Sequence, residues 1–586
     1  QEAGVEEEDL IKSDGKTLYT LSGATSGKPL LNVHARGVDG KLQALQTLSL
    51  PFDAEASPFV RGMLLATTAR RLAVSAEETR FVGLPSPCPP GAMCIAGDMI
   101  WAPTAMKSQV HLATLDLAAN GTASLGTRLA IDGRLVGTRQ IGNLVYLVTT
   151  YSPQLAWDAL PATATVADRE AALAKLSLAD VLPSVRVNGG AAQPLVAETD
   201  CYVQPKNASL AMQVTTVTAI DLGSPTLSRA SRCFVGGTEA MYMSTGSLYL
   251  ATTRTAYAED ASGGMARIRY VAKTTTDGHK FTAAGSSITY RGSGEVPGHL
   301  GWDGERKPYR LSEHNGDLRV LSFTGEVGWA VPADADNKAA PAPSPATLTI
   351  LRERASDQSL QVVGQLPNTQ RPAAIGLPGE QVYAVRMLGE RGYVVTFRQV
   401  DPLYVLDLSN PADPKQAGEL KVPGFSDYLF PMGDGLLFGV GKDADASGRM
   451  GGVKVALFDV KDPAKPAALA SLTFGQRGSA TALDASSHGI NLFQRGSVMR
   501  IALPMTLWDA GALGGGVVGT GVLPAEPKSG LQRLEVDLQA RTLVAKPLLP
   551  TAVGEYGWID LSAERSLQIE DQVYYLSQGK LNAYAW

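Results

Sequence analysis

The chain has 586 residues, more than one compact core usually organises, and this length predicts several domains or one large repeat architecture. Hydrophobic residues make up 44% and charged residues 19% of the chain, which excludes a disordered protein and a coiled coil. The net charge is −5, so the sequence lacks the basic excess expected of a nucleic-acid-binding protein, and no apolar run approaches the ~18 residues that span a bilayer.

Short apolar runs rich in β-forming residues recur along the chain, and many of them end in an Asp. The two clearest copies are Tyr404–Pro414 and Ala456–Pro466, in which Asp407 and Asp459 lie 52 residues apart and are each followed by Pro. Because Asp and Pro close a turn, each run is predicted to be the third strand of a four-stranded unit. A second strand such as 436–440 precedes it, and an outer strand such as 417–422 follows it. Such a unit, repeated at ~40–50 residues, is typical of a β-propeller blade.

The predicted third strands, clear and degenerate, occur in chain order at 31–35, 115–117, 219–222, 275–282, 348–353, 404–408, 456–460 and 534–538. We therefore expect an all-β fold, a single large propeller over 1–586 with about eight blades, seven or nine being the alternatives. The last strands, at 572–577 and 580–586, predict a further partial blade. Since ring closure removes a free sheet edge, we expect the terminal strands to close the ring.

Two segments interrupt the strand pattern. Thr163–Leu182 has apolar residues at helical spacing and ends before Pro183, so it predicts a helix inside an insertion at 153–200 within one blade. We expect this helix to pack over the rim of the propeller. The segment 333–345 is rich in Ala and Pro and predicts a mobile loop.

The four cysteines are Cys88, Cys94, Cys201 and Cys233, and none forms a C-x-x-C motif. A sparse, even set fits structural disulfides in an oxidising compartment, and proximity in the chain favours the pairs Cys88–Cys94 and Cys201–Cys233, although other connectivities exist. A zinc site is the competing interpretation. It is disfavoured because the chain has only six His residues, none of them spaced by three or four from another.

One polar constellation is expected near the central channel, where the inner strands of a propeller and the loops at their ends form the usual binding face. His with carboxylates and guanidinium groups can bind an anion or perform acid–base chemistry, whereas the competing interpretation is a set of hydrogen bonds between blades. The candidate residues are Glu313, His314, Asn315, Arg386, Arg398, Gln399, Asp401 and Asp427.

A second candidate site is a cation loop. Asp443, Asp445 and Ser447 alternate with small residues and precede Gly448, which matches the first half of an EF-hand-type calcium loop. The twelfth position is Lys454 rather than a bidentate Glu, so a solvated hairpin is the competing interpretation. Calcium is the only cofactor that the sequence indicates.

Several stretches of the chain resemble a known family. They lie at 4–19, 142–149, 178–183, 312–320 and 391–426, and Ser312 departs from the acidic residue expected there. Together they resemble secreted prokaryotic proteins with a C-terminal β-propeller domain distantly related to WD40 repeats. The resemblance implies a secreted or envelope-attached propeller and carries no established reaction.

These observations favour a binding module over an enzyme. No P-loop, G-x-S-x-G or H-E-x-x-H motif occurs in the sequence. We expect an exported propeller that is periplasmic, secreted or envelope-attached. It would bind or scaffold a protein or glycan partner, without catalysis, nucleic-acid binding or a transmembrane segment. The alternative is an extracellular hydrolase or lyase with its site at the mouth of the channel.

Overall fold

The computed structural model describes residues 2–23, 28–52, 58–82, 105–153, 160, 163–203, 213–260, 269–325, 344–397, 401–445, 448–509, 527–552 and 559–586. In these ranges the regular secondary structure is almost entirely β-strand, with two short α-helices, which confirms the all-β prediction. None of the described helices is long and apolar enough to cross a membrane.

The chain divides into two compact bodies. The first comprises Gln1–Thr238, Met243–Leu248 and Thr282–Tyr290, and the second comprises Glu239–Tyr242, Tyr249–Phe281 and Arg291–Trp586.

The first body contains three sheet repeats, and the strands of a fourth repeat have residues in both bodies. Repeat 1 is β1 (Ile11–Ser13), β2 (Thr17–Ser22), β3 (Leu30–Arg36) and β4 (Leu42–Ser49). Repeat 2 is β5 (Phe59–Ala66), β6 (Arg71–Val82), β7 (Ala105–Leu117) and β8 (Ala123–Asp132), extended by β11 (Ser184–Val187) and β12 (Gln193–Pro194). Repeat 3 is β9 (Arg134–Ile141), β10 (Leu144–Tyr151), β14 (Val214–Asp221) and β15 (Arg229–Val235), extended by β13 (Cys201–Tyr202). Repeat 4 is β16 (Ala240–Met243), β17 (Ser247–Asp260), β18 (Arg269–Ala284) and β19 (Ser287–Pro297).

The second body continues the series. Repeat 5 is β20 (Leu311–His314), β21 (Asp317–Phe323), β22 (Ala346–Arg354) and β23 (Ser359–Leu366). Repeat 6 is β24 (Gln381–Leu388), β25 (Arg391–Phe397), β26 (Asp401–Asp407) and β27 (Lys415–Val422). Repeat 7 is β28 (Phe425–Gly433), β29 (Leu436–Ala444), β30 (Met450–Asp459) and β31 (Ala467–Phe474). Repeat 8 is β33 (Asn491–Arg495), β34 (Val498–Leu507), β35 (Lys528–Asp537) and β36 (Thr542–Ala545), with β32 (Ala480–Thr481) and β37 (Leu549–Pro550) at its edges. Repeat 9 has the three strands β38 (Arg565–Ile569), β39 (Gln572–Ser577) and β40 (Lys580–Ala585).

Each of the eight predicted third strands is found as the third strand of one repeat, from β3 in repeat 1 to β35 in repeat 8. The terminal strands predicted at 572–577 and 580–586 are β39 and β40. Among the described residues there are thus eight four-stranded repeats and a ninth of three strands. Closure of a ring by the chain ends stays a prediction.

The Asp residues that end these strands act as the sequence predicts. The Asp407 and Asp459 carboxylates accept hydrogen bonds from the backbone N–H two residues on, at 3.1 and 3.0 Å. Asp221 and Asp537 accept equivalent bonds at 2.8 and 2.9 Å. Because each carboxylate satisfies a turn N–H, the chain reverses there into the outer strand.

The repeats of the second body pack face to face through apolar clusters. Val394 and Leu406 of repeat 6 share a cluster with Leu348 of repeat 5, and Val405 of repeat 6 shares another with Phe458 of repeat 7. The central strands are therefore buried on both faces, whereas the outer strands β27 and β31 are largely half-buried or exposed. This is the packing that propeller blades use.

The two clearest turns also contact the preceding repeat. A Cβ added at Gly418 in β27 would overlap the carbonyl oxygen of Pro463 and would lie 3.0 Å from Pro466. One repeat earlier, Gly364 in β23 meets Pro411 and Pro414 in the same way. The Pro-containing turn of one repeat therefore lies on a glycine in the outer strand of the repeat before it.

The insertion differs from the sequence prediction. The single helix expected over 163–182 is instead α1 (Val166–Leu173) and α2 (Leu178–Val181), because Ser177 caps a second helix start and its hydroxyl donates to Asp180 at 2.7 Å. The apolar stripe expected to pack is exposed, with Val166 at 72% and Leu173 at 41% exposure. The Ala/Pro-rich loop at 333–345 lies outside the described residues except for 344 and 345.

One of the two predicted disulfides, Cys201–Cys233, is present and joins β13 to β15 in the first body. Cys233 is completely buried in the cluster that repeats 2 and 3 share, so the bridge ties the end of the insertion to the core. Cys88 and Cys94 lie outside the described residues.

We expect Gly418→Ala to lower the free energy of unfolding by roughly 1–3 kcal/mol, because the new methyl group would overlap backbone atoms rather than a movable side chain. Urea unfolding followed by tryptophan fluorescence would measure this. The matched control is Gly304→Ala, where a Cβ meets nothing within 4 Å. Equal midpoints for the two variants would contradict the proposed contact between repeats.

The double variant Cys201→Ser, Cys233→Ser is expected to lose roughly 3–4 kcal/mol of stability, because the bridge closes a loop with a sequence separation of 32. The same loss should appear when the wild-type protein is unfolded in the presence of a reductant. An unfolding midpoint that does not respond to either change would show that the bridge adds no stability.

Candidate functional site

The segment Gly301–Arg310, here called the crossing segment, lies between β19 and β20 in the second body and contributes Arg306, Tyr309 and Arg310 to the candidate site. It begins with a turn in which the carbonyl oxygen of Asp303 accepts from the N–H groups of Arg306 and Lys307, both at 3.2 Å. Lys307–Arg310 then form a 3₁₀ helix with Pro308 in its first turn. Proline suits this position because its fixed φ matches the helix and no donor is lost.

The crossing segment contacts the first strands of repeats 6 and 7 and the loop that precedes the first strand of repeat 8. Arg310 Nη2 donates to the carbonyl oxygen of Val382 in β24 at 3.2 Å. Arg306 Nη1 lies 2.7 Å from Asp427 Oδ1 in β28. Glu305 accepts from the N–H of Ser487, ahead of β33, at 3.2 Å. The crossing segment therefore lies beside the first strands β24 and β28, which are the inner strands of a propeller blade.

A narrow cavity opens beside the segment. Its volume is about 10 Å³, which is room for one water-sized group. Its lining residues are Arg306, Tyr309, Arg310, Tyr383, Val385, Asp427, Tyr428 and Leu429. The site therefore combines two guanidinium groups, one carboxyl group and three phenol rings.

The aromatic rings hold the guanidinium groups in place. The Arg306 guanidinium carbon is 5.5 Å from the centre of the Tyr428 ring, and the Arg386 guanidinium carbon is 5.8 Å from that of Tyr309. Tyr309 and Tyr428 meet edge to face at 5.9 Å. Contacts of this kind favour a cation over a ring face and fix its orientation.

Burial changes the pKa of the charged groups in the cavity. Burial raises the pKa of Asp427 to about 6, an effect to which nearby Asp484 adds and which Arg306 and Lys442 oppose. Burial lowers the pKa of Arg310 to about 9, so its side chain remains cationic at pH 7. Burial also raises the pKa of Tyr428, which keeps its phenol protonated.

The structure brings together two of the eight predicted channel residues, Arg386 and Asp427, which meet the crossing segment through Tyr309 and Arg306. Glu313 lies at the end of β20, where its N–H donates to the hydroxyl of Tyr242 at 3.0 Å. His314 and Asn315 lie at the hairpin turn between β20 and β21, with their side chains 3.2 Å apart. Asn315 has φ +52°, as such a turn requires.

The remaining channel candidates cannot be placed as side chains. Arg398 and Gln399 lie outside the described residues, and of Asp401 only the backbone, in β26, is described. Their role stays a prediction.

The predicted calcium loop is the connection from β29 to β30. Asp443 lies 3.7 Å from Lys454 Nζ, and the Asp445 carboxylate accepts from the N–H of Arg449 at 3.0 Å. Ser447 falls outside the described residues. No group of three or more His, Cys, Asp or Glu side chains that could hold a metal occurs in the described ranges. Calcium binding at this connection stays a prediction.

The residues that the sequence prediction missed are Arg306, Tyr309, Arg310, Tyr383 and Tyr428. One signal was available, since Arg306-Lys307-Pro308-Tyr309-Arg310 is a basic and aromatic run between two strands. No motif contains it, and its partners in β24 and β28 lie more than 70 residues away in sequence.

Comparison with known proteins fits the repeated four-stranded sheets. A family model described as a beta propeller domain matches residues 1–586. The chain belongs to the beta-propeller domain family. The chain is 38% identical over 174 residues to an uncharacterized protein of Methanocaldococcus jannaschii. It is also 39% identical over 175 residues to one of Archaeoglobus fulgidus.

Each of these matches covers 30% of this chain. The chain spans less than a quarter of the length of each relative, 23% and 22% respectively. Similar solved structures include the periplasmic gluconolactonase of Pseudomonas aeruginosa, at 12% identity and TM-score 0.26, covering 58% of this chain and 93% of that one. Another is the acylaminoacyl peptidase of Pyrococcus horikoshii, at 7% identity and TM-score 0.28, covering 86% of this chain and 57% of that one. Likeness at this level carries no functional argument.

The raised pKa of Asp427 predicts a pH-dependent stability difference. A folded-state pKa of about 6 against an ordinary 3.8 means that the folded protein holds this proton more tightly than the unfolded chain. The contribution of protonated Asp427 to the free energy of unfolding is fully present below the unfolded-state pKa of 3.8 and is lost as the pH rises through about 6. Relative to Asp427→Asn, the wild-type protein should therefore lose up to about 3 kcal/mol between pH 4 and pH 7.

Calorimetric melting temperatures across this pH range would test the prediction. The control is Asp413→Asn, because the Arg371 guanidinium holds the pKa of Asp413 below its usual range and the difference from wild type should be flat above pH 4. Parallel curves for the wild-type protein and Asp427→Asn would contradict a raised pKa.

Proposed function

We propose that this protein is an exported propeller that binds a protein or glycan partner through the crossing segment and performs no catalysis of its own. The observation that carries the proposal is Trp302, a large aromatic side chain 82% exposed on the same segment that holds Arg306 and Arg310. Trp, Tyr and Arg are the residue types that dominate the energetics of binding sites.

Trp302 is exposed and also supported from beneath. Its ring centre is 5.3 Å from that of His299, and the His299 ring stacks on Phe323 at 5.1 Å. The His299 ring nitrogen Nδ1 accepts from the N–H of Gly301 at 3.0 Å, which fixes the backbone next to Trp302. A ring held in this way loses little conformational entropy when a sugar face or an apolar side chain stacks on it.

The charge of the segment indicates the kind of partner. Arg306 and Arg310 belong to the same segment as the exposed ring, and Arg386 lies against Tyr309. A partner that offers an acidic group next to an apolar or sugar surface would satisfy both features, and acidic peptides and uronate-containing glycans have that character.

The export part of the proposal is supported by the Cys201–Cys233 disulfide, because such bridges are most common in oxidising compartments. We place the protein in the periplasm, in the medium or attached to the cell envelope. Fractionation of the native cells, followed by immunodetection, would test this. Recovery in the cytosolic fraction alone would contradict it.

Trp302→Ala should weaken partner binding by more than about tenfold, because it removes the ring that the partner would contact. The melting temperature should stay unchanged, because the side chain is exposed in the free protein. A glycan array containing uronate oligosaccharides and a display library of acidic peptides would identify ligands, and calorimetric titration would compare the variants. The matched control is Val544→Ala, which removes a 55% exposed apolar side chain from β36. Failure of every probe to bind, or equal affinity in the Trp302 variant, would overturn the proposal.

One observation favours a second function, an extracellular hydrolase or lyase. Asp427 is a buried carboxyl group whose pKa of about 6 suits a general acid, and it lies beside the Arg306 guanidinium. Incubation of the wild-type protein with a polysaccharide panel would distinguish the two functions. Cleavage that is lost in Asp427→Asn would replace the binding proposal with the enzymatic one.

A further inference from the structure

Arg310 is a buried cation whose donors are mostly unused. Its side chain is only 4% exposed, and Nη2 makes a single bond, to the Val382 carbonyl oxygen. Nε and Nη1 are buried, and neither has a hydrogen-bond partner among the residues that the structure describes. The guanidinium carbon lies 4.3 Å from the centre of the Phe323 ring, which favours the charge but accepts no directed hydrogen bond.

The nearby carboxylates do not neutralise this charge. Asp427 lies against Arg306 at 2.7 Å, and Asp303 Oδ2 lies 2.9 Å from Arg306 Nε. Within the described part of the chain, no carboxylate forms an ion pair with Arg310. Arg306 adds a second positive charge close by, and this like charge further lowers the pKa of Arg310 beyond the effect of burial, whereas Asp303 opposes the shift without forming an ion pair with Arg310. An uncompensated buried charge with open donors is costly, and proteins usually relieve the cost with a counter-charge.

The open donors belong to a residue that lines the cavity beside the crossing segment. That cavity has room for one water-sized group, and the phenol rings of Tyr309, Tyr383 and Tyr428 form part of its lining. A bulky, multiply charged anion such as sulfate does not fit this volume. One oxygen of a small carboxylate such as formate fits it, whereas a chloride ion is larger than a water molecule and needs a small outward movement of the lining side chains.

We infer that this cavity is a binding site for a small monovalent anion, held by Arg310 Nε and Nη1 with Arg306 opposite. The same chemistry could be supplied by a free ion or by a carboxylate carried on a larger ligand. The site is expected whether or not the proposed partner binding exists, because the uncompensated charge of Arg310 is a property of the folded chain.

The direct test is ³⁵Cl NMR line broadening and calorimetric titration with sodium formate, both at constant ionic strength, with sodium glucuronate as the ligand-borne carboxylate. The wild-type protein should bind at least one of these probes saturably. Arg310→Gln should weaken that binding at least tenfold, because it removes the charge and the fork of donors. The control is Arg371→Gln, whose guanidinium pairs with Asp413 at 2.7 Å on a turn of the same body and should leave anion binding unchanged.

Two further measurements keep the inference testable if Arg310→Gln does not fold. Arg310→Lys retains the charge and loses the fork, so it should bind the probe at least tenfold more weakly than the wild-type protein. Bromide-soaked crystals of the wild-type protein should show an anomalous peak within hydrogen-bond distance of Arg310 Nη1. Absence of binding by chloride, formate and glucuronate, or a water molecule at that position in bromide-soaked crystals, would overturn the inference.

Trp302→Ala separates this inference from the proposed function. It should weaken partner binding by more than about tenfold and leave chloride and formate binding intact, because Trp302 does not line the cavity. Loss of small-anion binding in Trp302→Ala would place the anion on the exposed surface instead and contradict the buried site.

Discussion

Each sheet repeat must bury both faces of its two central strands, and the architecture depends on this requirement. Strands such as β25 and β29 carry unbroken apolar runs that one sheet cannot cover by itself. Neighbouring repeats bury the remaining faces, so Val394 and Phe458 lie in apolar clusters that are shared between repeats. In the second body, this face-to-face packing brings the first strands β24 and β28 close enough for one segment of ten residues to contact both.

The sequence predicted the repeats well because their signal is local. Asp407 and Asp459 each cap a turn with a carboxylate that bonds to the backbone two residues on, and such a pattern can be read without knowing the fold. The break between α1 and α2 was missed because Ser177 and Asp180 make a capping box inside a run that keeps helical spacing.

The site was predicted only in part because its contacts are not local. Asp427 and Arg386 drew attention as polar residues near predicted inner strands, but their partners Arg306 and Tyr309 lie far away in sequence. His314, the histidine of the predicted constellation, belongs to a hairpin turn with Asn315. The residues of this site come from different repeats, so their spacing in the sequence forms no motif that predicts the site.

The connections between strands also differ between the two edges of the sheets. The links from third to fourth strand are short in every four-stranded repeat, no longer than 222–228, 408–414 or 460–466, and two of them lie against a glycine of the preceding repeat. The links from second to third strand range from 398–400 to 152–213. Extra chain has therefore accumulated along one edge only. A reporter domain or an epitope spliced into a second-to-third link would lengthen a connection whose length already varies widely between repeats, whereas the same cargo in the turns 408–414 or 460–466 would separate that turn from the glycine of the preceding repeat.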